Sequence, residues 1–372
     1  MIEKDAAVLQ RALALAKNGL FSASPNPRVG CVIRRDNKTI GEGWHRRAGE
    51  AHAEVVAMQN CNDNLHGAEM FVNMEPCSHE GKTPSCAAML AKAKPARVVI
   101  AMPDPNPQVA GRGLKMLREA GIETVCAEKT DAIFARALDM NIGFVSRMIR
   151  RRPWVRLKIA ATADGKTALS SGLSQWISGE ESRADAHYLR ARSCAIITGV
   201  GTATADNPQL TVRHVSSPRQ PLRVLIDGQL RAPADLRMFS GGAMVACAVA
   251  ASPVADDVEV LSLPDSDGRV DLAALLSELA ARGVNEITVE AGRRLCGAFV
   301  NAGLADEMVV YHAPLFFGGG FDMVQLPPPP SPQQATRWRL VECTTMGEDA
   351  KLVYESPDSR KMLSDALATI VT

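Results

Sequence analysis

The sequence predicts two consecutive α/β domains. Its 372 residues exceed the size at which one hydrophobic core usually stops growing, about 250–300 residues. Short β-branched runs alternate with amphipathic helical segments along both halves, which is the pattern of an α/β protein. The basic run Met148–Arg152 ends at Pro153, and proline disfavours helix at the residue before it. We therefore predict one domain over residues 1–149 and a second over residues 154–372.

The elements of the first half follow from periodicity. Apolar residues at helical spacing predict an amphipathic helix over about residues 5–18, with Gly19 at the position of a C-terminal cap. The later elements are short β-branched runs and helical segments bounded by polar residues. In order they are the strand VGCVIRR (29–35), the helix AEVVAMQN (53–60), the strand AEMFVNM (68–74), the helix CAAMLAKA (86–93), the strand ARVVIAM (96–102) and the helix LKMLREAG (114–121).

The second half repeats the alternation. Its predicted strands are WVRLKIAAT (154–162), CAIITGV (194–200), LRVLIDG (222–228), AMVACAV (243–249), DVEVLSL (257–263), NEITVEAG (285–292) and DEMVVYHAP (306–314). Its predicted helices include ESRADAHYLRARS (181–193) and DLAALLSELAARG (271–283). The stretch QLPPPPSPQQ (325–334) predicts an exposed proline-rich loop, and KMLSDALATIVT (361–372) predicts a short terminal helix. We assign neither of these two segments a function.

Composition excludes several classes of protein. The 42 basic residues nearly balance the 41 acidic ones, so no overall field attracts a polyanion and nucleic acid is a disfavoured partner, although Arg147–Arg152 forms a local basic patch. The N-terminal segment has no uninterrupted apolar core of the kind that a signal peptide or membrane helix needs, so we expect a cytoplasmic protein without a membrane partner. Nine scattered cysteines do not form a disulfide framework, and only Cys77 and Cys86 stand apart.

A metal-ligand pattern distinguishes the first domain. His52 and Glu54 are followed by Pro76-Cys77, and the eight residues SHEGKTPS separate Cys77 from Cys86. One imidazole and two thiolates suit Zn²⁺ and leave a fourth tetrahedral position for water, which is the arrangement of a catalytic site. Water on zinc ionises near neutral pH. The pattern therefore predicts hydrolytic chemistry.

The spacing assigns a role to each neighbour of the metal. Near a helix start, His52 can point at the metal while the Glu54 carboxylate reaches the adjacent water and passes its proton to an amine leaving group. Pro76 fixes the chain direction where we expect Cys77 to begin the next helix, whose N-terminus stabilises a thiolate. The general zinc-deaminase pattern has two residues between its cysteines. The longer spacing here requires a loop that bulges outward.

Two other interpretations of the motif remain open. A zinc deaminase could act on free nucleosides, nucleotides or a tRNA base, with a C-terminal half that is only regulatory. A structural zinc module needs four protein ligands, and His79 in the same loop could supply the fourth. Taken singly, each candidate ligand is also compatible with an ordinary core histidine or a buried thiol.

The motifs together resemble a known family. PCSHEGKTPSC, SPNPRVGCVI, GEGWHRRAGEAHAE and MPDPNPQVAGRG in the first half, and LKIAATADGKTA, SGLSQWISG, GTATADNPQLTVR, VEAGRRLCGAF and VVYHAPLFFGG in the second, are similar to the bacterial bifunctional riboflavin-biosynthesis deaminase/reductases over nearly the whole chain. The resemblance implies a cytidine-deaminase-like α/β/α sandwich followed by a dihydrofolate-reductase-like α/β domain. It also implies a homodimer or homotetramer.

The resemblance implies two consecutive reactions and the residues of the first. The substrate would be 2,5-diamino-6-ribosylamino-4(3H)-pyrimidinone 5′-phosphate, whose 2-amino group is hydrolysed before NADPH reduces the ribosyl group to ribityl. In the deaminase, the zinc ligands would be His52, Cys77 and Cys86, and Glu54 the proton donor. The implied substrate contacts are Asn26, His45, Lys82, Asp104 and Asn106. Asn26 and Asn106 also lie in Asn-Pro turns, which need no ligand to explain them, and Lys82 is equally compatible with a solvated loop.

The second domain has no G-x-G-x-x-G between an early strand and a helix, so an ordinary dinucleotide fold has no motif support. GVGTATAD and EAGRRLCGAF could instead bring backbone N–H groups to a pyrophosphate, the latter with Gly292 and Arg293 at a helix start. The resemblance assigns the NADPH site to Ala160, Trp176, Thr202, Asp206, Gly292, Arg293, Arg294, Leu295, Cys296, Gly297 and Ala298. It assigns the substrate site to Ser174, Arg190, Leu210, Arg213 and Glu290.

The chemistry of reduction suggests further roles. Arg190 and Arg213 can bind a phosphate through bidentate hydrogen bonds, and Trp176 offers a flat face to a ring; a solvated arginine and a core tryptophan are the competing interpretations. Hydride transfer to an imine needs a nearby cation or acid, for which Lys158 and Asp206 are our candidates. Lys158 alternates with apolar neighbours on its strand, although a lysine on an edge strand would show the same pattern. Arg293 and the adjacent Arg294 suggest recognition of the 2′-phosphate of NADPH.

Overall fold

The structure of the protein is a computed structural model that describes residues 3–61, 63–79 and 85–370. The chain divides into two compact units, Met1–Arg151 with Lys361–Thr372, and Arg152–Arg360. The division falls within the basic run that precedes Pro153. The segment from Lys361 onward, which the sequence places in the second domain, groups with the first unit instead.

The first unit alternates helices and strands as an α/β protein does. Its elements are α1 (Glu3–Ala16), β1 (Gly30–Arg35), β2 (Lys38–Trp44), α2 (Ala53–Gln59), β3 (Glu69–Val72), α3 (Cys86–Ala93), β4 (Arg97–Ile100), α4 (Arg112–Glu119), β5 (Glu123–Cys126) and α5 (Ala132–Arg150). A 3-10 turn over Lys17–Gly19 extends α1, so Gly19 is not the left-handed cap that the sequence suggested. Strands β2 and β5 and helix α5 were not predicted from the sequence.

The five strands of the first unit form one sheet in the order β2-β1-β3-β4-β5. Strand β1 runs antiparallel to β2 and β3, whereas β3, β4 and β5 are parallel. Buried aliphatic side chains from the strands and from α2, α3 and α4 form the core. Because β3 and β4 are parallel neighbours, the loops that follow them leave the sheet at the same edge.

The second unit carries the longer sheet. Its elements are β6 (Trp154–Thr162), β7 (Lys166–Ala168), α6 (Glu180–Arg192), β8 (Ala195–Gly199), α7 (Val200–Asp206), β9 (Leu222–Ile226), β10 (Ala243–Cys247), β11 (Val258–Ser262), α8 (Leu272–Ala281), β12 (Glu286–Val289), α9 (Arg293–Asn301), β13 (Glu307–Ala313), β14 (Phe321–Asp322), β15 (Arg339–Met346) and β16 (Asp349–Glu355). The chain ends with α10 (Ser359–Ala368). The short strands β7 and β14 pair with each other.

Nine strands form this sheet in the order β11-β10-β9-β8-β12-β6-β13-β16-β15. The pairs from β11 to β13 are parallel, and β16 and β15 add antiparallel strands beyond β13. Strand β6 therefore lies between β12 and β13, so the interpretation of Lys158 as an edge-strand lysine is wrong. The predicted α/β fold class is confirmed in both units. Among the described residues, none of the helices is both long enough and apolar enough to cross a bilayer.

Two local predictions differ from the structure. The segment from Gly199 to Asp206, expected as a glycine-rich turn, forms the helix α7. The hairpin of β15 and β16 was not predicted at all. The proline-rich loop is exposed as expected, with a 3-10 turn over Pro332–Gln334.

Candidate active sites

The three predicted zinc ligands converge at the edge of the first sheet. His52 is the N-cap of α2, Cys86 is the first residue of α3, and Cys77 lies on the loop after β3. The Nδ1 atom of His52 is 3.5 Å from the Sγ of Cys77 and 3.3 Å from the Sγ of Cys86. In the described part of the chain these are the three residues whose ligand atoms group within 4.8 Å of one another. His79 does not join them, so the described residues leave the open position that catalysis requires.

The N-terminus of α3 brings the two cysteines together. The Ser85 hydroxyl donates to the Cys77 carbonyl oxygen at 2.9 Å and accepts from the Ala88 amide at 3.2 Å, as a helix N-cap does. The Cys86 amide donates to the Cys77 Sγ at 3.3 Å. The sequence suggested that Cys77 begins the helix. In the structure, Cys77 precedes the helix and Cys86 begins it. The Cys77 sulfur still receives a backbone N–H at the positive end of the helix.

The thiols share negative charge in a way that suits a metal. The pKa of Cys77 falls to about 4 because the Cys86 thiol donates to it and because His52 and the Cys86 amide lie close by. The pKa of Cys86 is raised by the same hydrogen bond and by burial. The pair thus consists of one thiolate and one thiol. A divalent cation that binds both sulfurs displaces the remaining proton. Two sulfurs and one imidazole are a donor set that fits Zn²⁺.

Glu54 lies in the first turn of α2, two residues after the histidine ligand. Its carboxyl group is buried, with 4% of the residue exposed. Burial raises the pKa of Glu54, whereas the adjacent His52 lowers it. A carboxyl group whose pKa is moved upward can take and return a proton close to neutral pH.

His45 and Asn26 lie beside the metal ligands. The His45 ring meets the His52 ring edge-on at 5.4 Å between centroids. Its Nδ1 is 3.0 Å from the carbonyl oxygen of Ala51, and its Nε2 is 3.1 Å from the Nδ2 of Asn26. Burial lowers the pKa of His45. A carbonyl oxygen beside Nδ1 and an amide NH₂ group beside Nε2 match a neutral ring that donates from Nδ1 and accepts the Asn26 amide hydrogen at Nε2. The ring thereby orients the Asn26 amide.

Asp104 and Asn106 lie on the loop that follows β4. The Asp104 carboxylate accepts from the Asn106 amide at 2.8 Å, and the Asn106 side chain accepts from the Gln108 amide at 3.0 Å. These are Asx turns, so local structure does account for both residue types. Burial, together with the charges of Glu75 and Cys77, raises the pKa of Asp104 to about 8. The other predicted contact, Lys82, lies outside the described residues.

Glu75, which the sequence did not single out, has a buried carboxylate with 3% of the residue exposed. It accepts hydrogen bonds from the backbone amides of Asp104, Gly111 and Leu114 at 3.1, 3.0 and 3.2 Å. Only its position just before Pro76 distinguishes it in the sequence, because its partners lie 29 to 39 residues away.

In the second unit, two of the predicted cofactor residues, Thr202 and Gly292, meet where helices start after parallel strands. Gly199 caps α7 after β8, and Gly292 caps α9 just after β12. The Thr202 hydroxyl accepts from the Gly292 amide at 3.0 Å and so connects the two helix starts. The Asp206 carboxylate lies 3.4 Å from the Ser174 hydroxyl. This edge of a parallel sheet is where α/β proteins bind ligands.

Trp176 is exposed, contrary to the interpretation as a core residue. It is 72% exposed, and the guanidinium carbon of Arg183 lies 5.0 Å from the centre of its ring. The indole therefore presents a flat aromatic face at the surface of the second unit.

The residues of α9 divide between surface and core. Arg294 is exposed, and the guanidinium carbon of Arg293 lies 4.6 Å from the centre of the Phe321 ring. Cys296 and Gly297 are buried. A Cβ at Gly297 would lie 2.0 Å from the carbonyl oxygen of Gln325, so close packing of another segment explains this glycine. Leu295 is half-buried and Ala298 exposed.

Arg190 is not solvated. Its Nε and Nη2 donate to the two carboxylate oxygens of Glu290 at 2.6 and 2.8 Å, and its Nη1 donates to the Thr211 carbonyl oxygen at 3.1 Å. Its guanidinium fork already binds a carboxylate, and the bidentate phosphate contact of Arg190 stays a prediction. The exposed Arg213 donates to the side chains of Gln209 and Thr211, and remains the arginine of the pair that a phosphate can reach.

Lys158 lies in the middle of β6, and Ala160 follows on the same face of the strand. Burial lowers the pKa of Lys158, whereas the charge of Glu290 raises it. Its Nζ lies 5.8 Å from the centre of the Tyr311 ring. Leu210, assigned to the substrate site, is buried and has a left-handed backbone with φ of 53°.

Known protein families match separate parts of the chain, one in each unit. Residues 153–352 match the family described as the RibD C-terminal domain. Residues 2–102 match the cytidine and deoxycytidylate deaminase zinc-binding region. The riboflavin biosynthesis protein RibD of Haemophilus influenzae is 39% identical over 94% of this chain and 97% of its own length. The RibD of Escherichia coli is 42% identical over 85% of this chain and 89% of its own length.

Solved structures resemble the whole chain. Acinetobacter baumannii RibD has a TM-score of 0.87 at 37% identity, covering 95% of this chain and 99% of that one. A diaminohydroxyphosphoribosylaminopyrimidine deaminase/5-amino-6-(5-phosphoribosylamino)uracil reductase from Thermotoga maritima has a TM-score of 0.85 at 29% identity, covering 95% and 98%. The chain belongs to the RibD family of bifunctional riboflavin-biosynthesis enzymes, in which a zinc-binding deaminase region is followed by a reductase domain.

Proposed function

We propose that this chain deaminates 2,5-diamino-6-ribosylamino-4(3H)-pyrimidinone 5′-phosphate and then reduces the ribosyl group of the product to ribityl with NADPH. The observation that carries the proposal is the convergence of His52, Cys77 and Cys86 beside the buried carboxyl group of Glu54. We assign the deaminase to residues 1–149 and the reductase to residues 154–372, with residues 361–370 packed on the first unit.

In the deaminase, His52, Cys77 and Cys86 hold zinc, which when bound supplies a hydrolytic nucleophile at neutral pH. Glu54 moves a proton from that nucleophile to the departing amine, because its raised pKa lets it gain and lose a proton in turn. His45 holds the Asn26 amide in one orientation, which favours that amide as a contact of the pyrimidine.

The loop after β4 completes the proposed substrate site. Asp104, whose pKa burial raises to about 8, is a proposed hydrogen-bonding partner of the pyrimidine. Asn106 follows it in the same Asx-turn loop. We retain Lys82 as a proposed phosphate contact on the grounds of the family resemblance alone.

In the reductase, we propose that NADPH binds where α7 and α9 begin, with Thr202, Asp206, Ala160, Trp176 and the run 292–298 around it. Backbone N–H groups at the start of α9 suit a pyrophosphate, and the exposed Arg294 suits a 2′-phosphate. The substrate would contact Ser174, Arg190, Leu210, Arg213 and Glu290. Arg213 is the proposed phosphate partner, while Arg190 acts through its pair with Glu290.

We propose that the hydride acceptor is the ring-opened imine of the ribosylamine, because hydride adds to a C=N bond and yields the ribityl amine. A cation near this carbon stabilises the developing charge. Lys158 supplies that charge, and Asp206 lies beside Ser174 and can exchange a proton. Bound NADPH would supply the hydride, which carries two electrons and one proton, to the imine carbon. The negative charge that develops on the imine nitrogen would be stabilised by Lys158 and neutralised by a proton passed through Asp206.

We propose that the protein is a cytoplasmic homodimer or homotetramer. Strand β15 is the edge of the nine-stranded sheet, and its Leu340 and Val341 are 51% and 42% exposed. An exposed edge strand of this length is a surface on which another β-strand can pair.

A coupled assay tests both activities. Given the diamino-ribosylamino-pyrimidinone phosphate and NADPH, the wild-type protein should release ammonia first and then consume the nicotinamide absorbance. Cys86→Ser should lose zinc and ammonia release together. Glu54→Gln should keep its zinc but lose about 10²–10⁴-fold in deamination rate, the typical contribution of a general acid-base group.

The same variants show which outcome contradicts the proposal. Both should still oxidise NADPH when given the deaminated substrate, because Lys158 and Arg213 belong to the second unit. A wild-type protein that binds zinc but releases no ammonia, or that never oxidises NADPH with either substrate, would overturn the corresponding half of the assignment.

A further inference from the structure

Glu75 connects the two loops that form the deaminase site. It follows β3 and lies two residues before Cys77, and its backbone amide donates to the Met102 carbonyl oxygen at 3.0 Å. Its carboxylate reaches further into the loop after β4. Oε2 accepts from the amides of Asp104 and Gly111 at 3.1 and 3.0 Å, and Oε1 accepts from the Leu114 amide at 3.2 Å.

The carboxyl group is buried, and no basic side chain of the described chain forms an ion pair with it. Only 3% of the residue is exposed, and its compensation comes from backbone N–H groups. One of them, Leu114, lies in the first turn of α4, and the N-cap of that helix, Gly111, has no side chain that could cap it. Glu75 thus acts as the cap of α4 from another element, where a negative charge is favourable.

Helix α4 is in close contact with the segment that precedes Cys77. A Cβ at Gly113 would lie 2.1 Å from the Pro76 carbonyl oxygen and 3.1 Å from Oε1 of Glu75. Helix α4 therefore packs directly against the residues that lead into Cys77, and only glycine allows this approach. The buried Glu75 carboxylate and the absence of a side chain at Gly113 together hold the start of α4 against the segment that carries the ligand Cys77.

The loop between β4 and α4 carries Asp104 and Asn106. Its internal shape is set by the two Asx turns at these residues. Those bonds are local and do not fix the distance of the loop from the metal cluster. The bonds from Glu75 to Asp104 at one end and to Gly111 at the other restrict it, together with the bond from the Ser78 hydroxyl to the Gln108 carbonyl oxygen at 3.2 Å.

We propose that Glu75 is a positioning residue of the deaminase, which holds the loop 104–111 at the distance from Cys77 at which Asp104 and Asn106 contact the substrate. This inference rests on the proposed deaminase function and on the proposed contacts of these two residues. Glu75 itself touches neither the substrate nor the reacting atoms.

The test is Glu75→Gln in the full-length, zinc-loaded protein. Gln keeps the size of the side chain but turns an NH₂ group toward at least one of the backbone donors. We expect the KM for deamination to rise about 10-fold, and kcat to change by less than about 3-fold, because a lost binding contact that is equal in ground and transition states raises KM alone. A role limited to folding would instead lower kcat per chain and leave KM unchanged.

Two controls separate this inference from the proposed function. Glu119→Gln changes an exposed glutamate on the same helix and should leave KM and kcat as in the wild type. Asn106→Ala removes the proposed contact directly and should also raise KM. If Asn106→Ala raises KM but Glu75→Gln does not, the positioning role is wrong and the proposed site stands. If neither changes KM, both the inference and the proposed contacts are wrong.

Hydrogen exchange supplies a readout that is independent of activity. In Glu75→Gln the amides of Asp104, Gly111 and Leu114 should exchange faster, while amides of β3 and β4 keep their protection and the zinc content stays at the wild-type level. Should Glu75→Gln fail to fold or to bind zinc, Glu75→Asp, which keeps the charge, carries the same test. Failure of both variants to fold would make Glu75 a folding determinant and overturn the positioning role.

Discussion

Arg190 on α6 and Glu290 just after β12 form a two-pronged ion pair, with Nε–Oε1 at 2.6 Å and Nη2–Oε2 at 2.8 Å. Each side chain is only 12% exposed, so the pair is largely shielded from water. Burial alone would raise the pKa of Glu290, but Arg190 and Lys158 lower it to about 2. The carboxylate therefore stays charged and serves two cations, one of which is the proposed catalytic lysine.

Glu290→Gln should remove this charge and destabilise the second unit. Removing one partner of a buried ion pair lowers the free energy of unfolding by up to about 3–5 kcal/mol. The amide of the substituted side chain can still form one hydrogen bond, so we expect a loss near the lower limit of this range. Urea unfolding of the second unit at pH 7 measures it. Glu278→Gln, whose side chain is 40% exposed on α8, should change little.

Glu290→Gln should also change how the stability of the second unit depends on pH in acid. A carboxyl group whose pKa is lower in the folded state stabilises the protein above its unfolded pKa, about 4.3, and loses that contribution as the pH falls toward the folded value. For Glu290 the folded value is about 2. The wild type should therefore lose stability between about pH 4 and 2 more steeply than Glu290→Gln, and equal slopes would contradict the strength of the pair.

The elements that the sequence predicted well are those whose burial is continuous. Strand β6 was predicted with its observed limits because WVRLKIAAT is mostly apolar and β-branched, and its residues are buried or half-buried throughout. The β15–β16 hairpin was missed because β15 is exposed along almost its whole length and so has no apolar face to detect. Helix α7 was missed because two glycines and alanine-threonine pairs resemble a turn, whereas packing on β8 and β9 makes this segment helical.

The residues of the candidate sites also differ in how well the sequence predicts their positions. The convergence of His52, Cys77 and Cys86 could be predicted because ligand chemistry restricts which residues bind zinc. The role of Glu75 could not, because a glutamate beside a loop proline resembles a solvated residue until α4 packs over it. The ion pair of Arg190 was not predicted for a related reason. Its partner Glu290 is 100 residues away, and only the parallel sheet brings the two together.

His187 on α6 should make the second unit sensitive to mild acid. Its Nδ1 accepts from the Arg213 amide at 3.2 Å, which requires that nitrogen to be unprotonated. Burial, with the nearby charges of Arg190 and Arg213, lowers the pKa of His187 to about 4. The folded protein thus binds fewer protons than the unfolded chain between about pH 6.5 and 4, so stability is lost as the pH falls through that window.

His187→Asn should flatten this pH dependence. The Asn Oδ1 can accept the same amide hydrogen but does not titrate. Urea midpoints of the second unit at pH 8 and pH 5 should differ in the wild type and differ less in the variant. His66→Asn, which changes an exposed histidine of the first unit, should leave that difference unaltered, and an unchanged difference in His187→Asn would show that another group titrates.

Asp271→Ala should cost about 1 kcal/mol of stability in the second unit, the typical value of an N-cap. The Asp271 carboxylate accepts from the amides of Ala273 and Ala274 at 2.9 and 3.0 Å at the start of α8. Asp271→Asn keeps the acceptor and should lose only a fraction of this amount. Urea unfolding followed by far-UV circular dichroism measures both, and equal losses in the two variants would assign the effect to charge instead of capping.

Lys158→Met tests the proposed catalytic cation. The ammonium lies on a central strand, forms no hydrogen bond within the described part of the chain, and has its pKa lowered by burial while Glu290 opposes that effect. A buried lysine that no ion pair requires for folding is free to stabilise negative or developing charge in a ligand. Met has nearly the same length without the charge, so it should fold normally.

In Lys158→Met, NADPH oxidation should fall by about 10²-fold or more, the effect of removing one electrostatic stabiliser of a transition state. Ammonia release should match the wild type, because the deaminase residues belong to the first unit. Lys361→Met, an exposed lysine on α10, controls for loss of a positive charge elsewhere. If Lys158→Met still reduces the substrate at the wild-type rate while Glu290→Gln does not, then Glu290 acts through Arg190 and the hydride acceptor draws its stabilisation from a group other than Lys158.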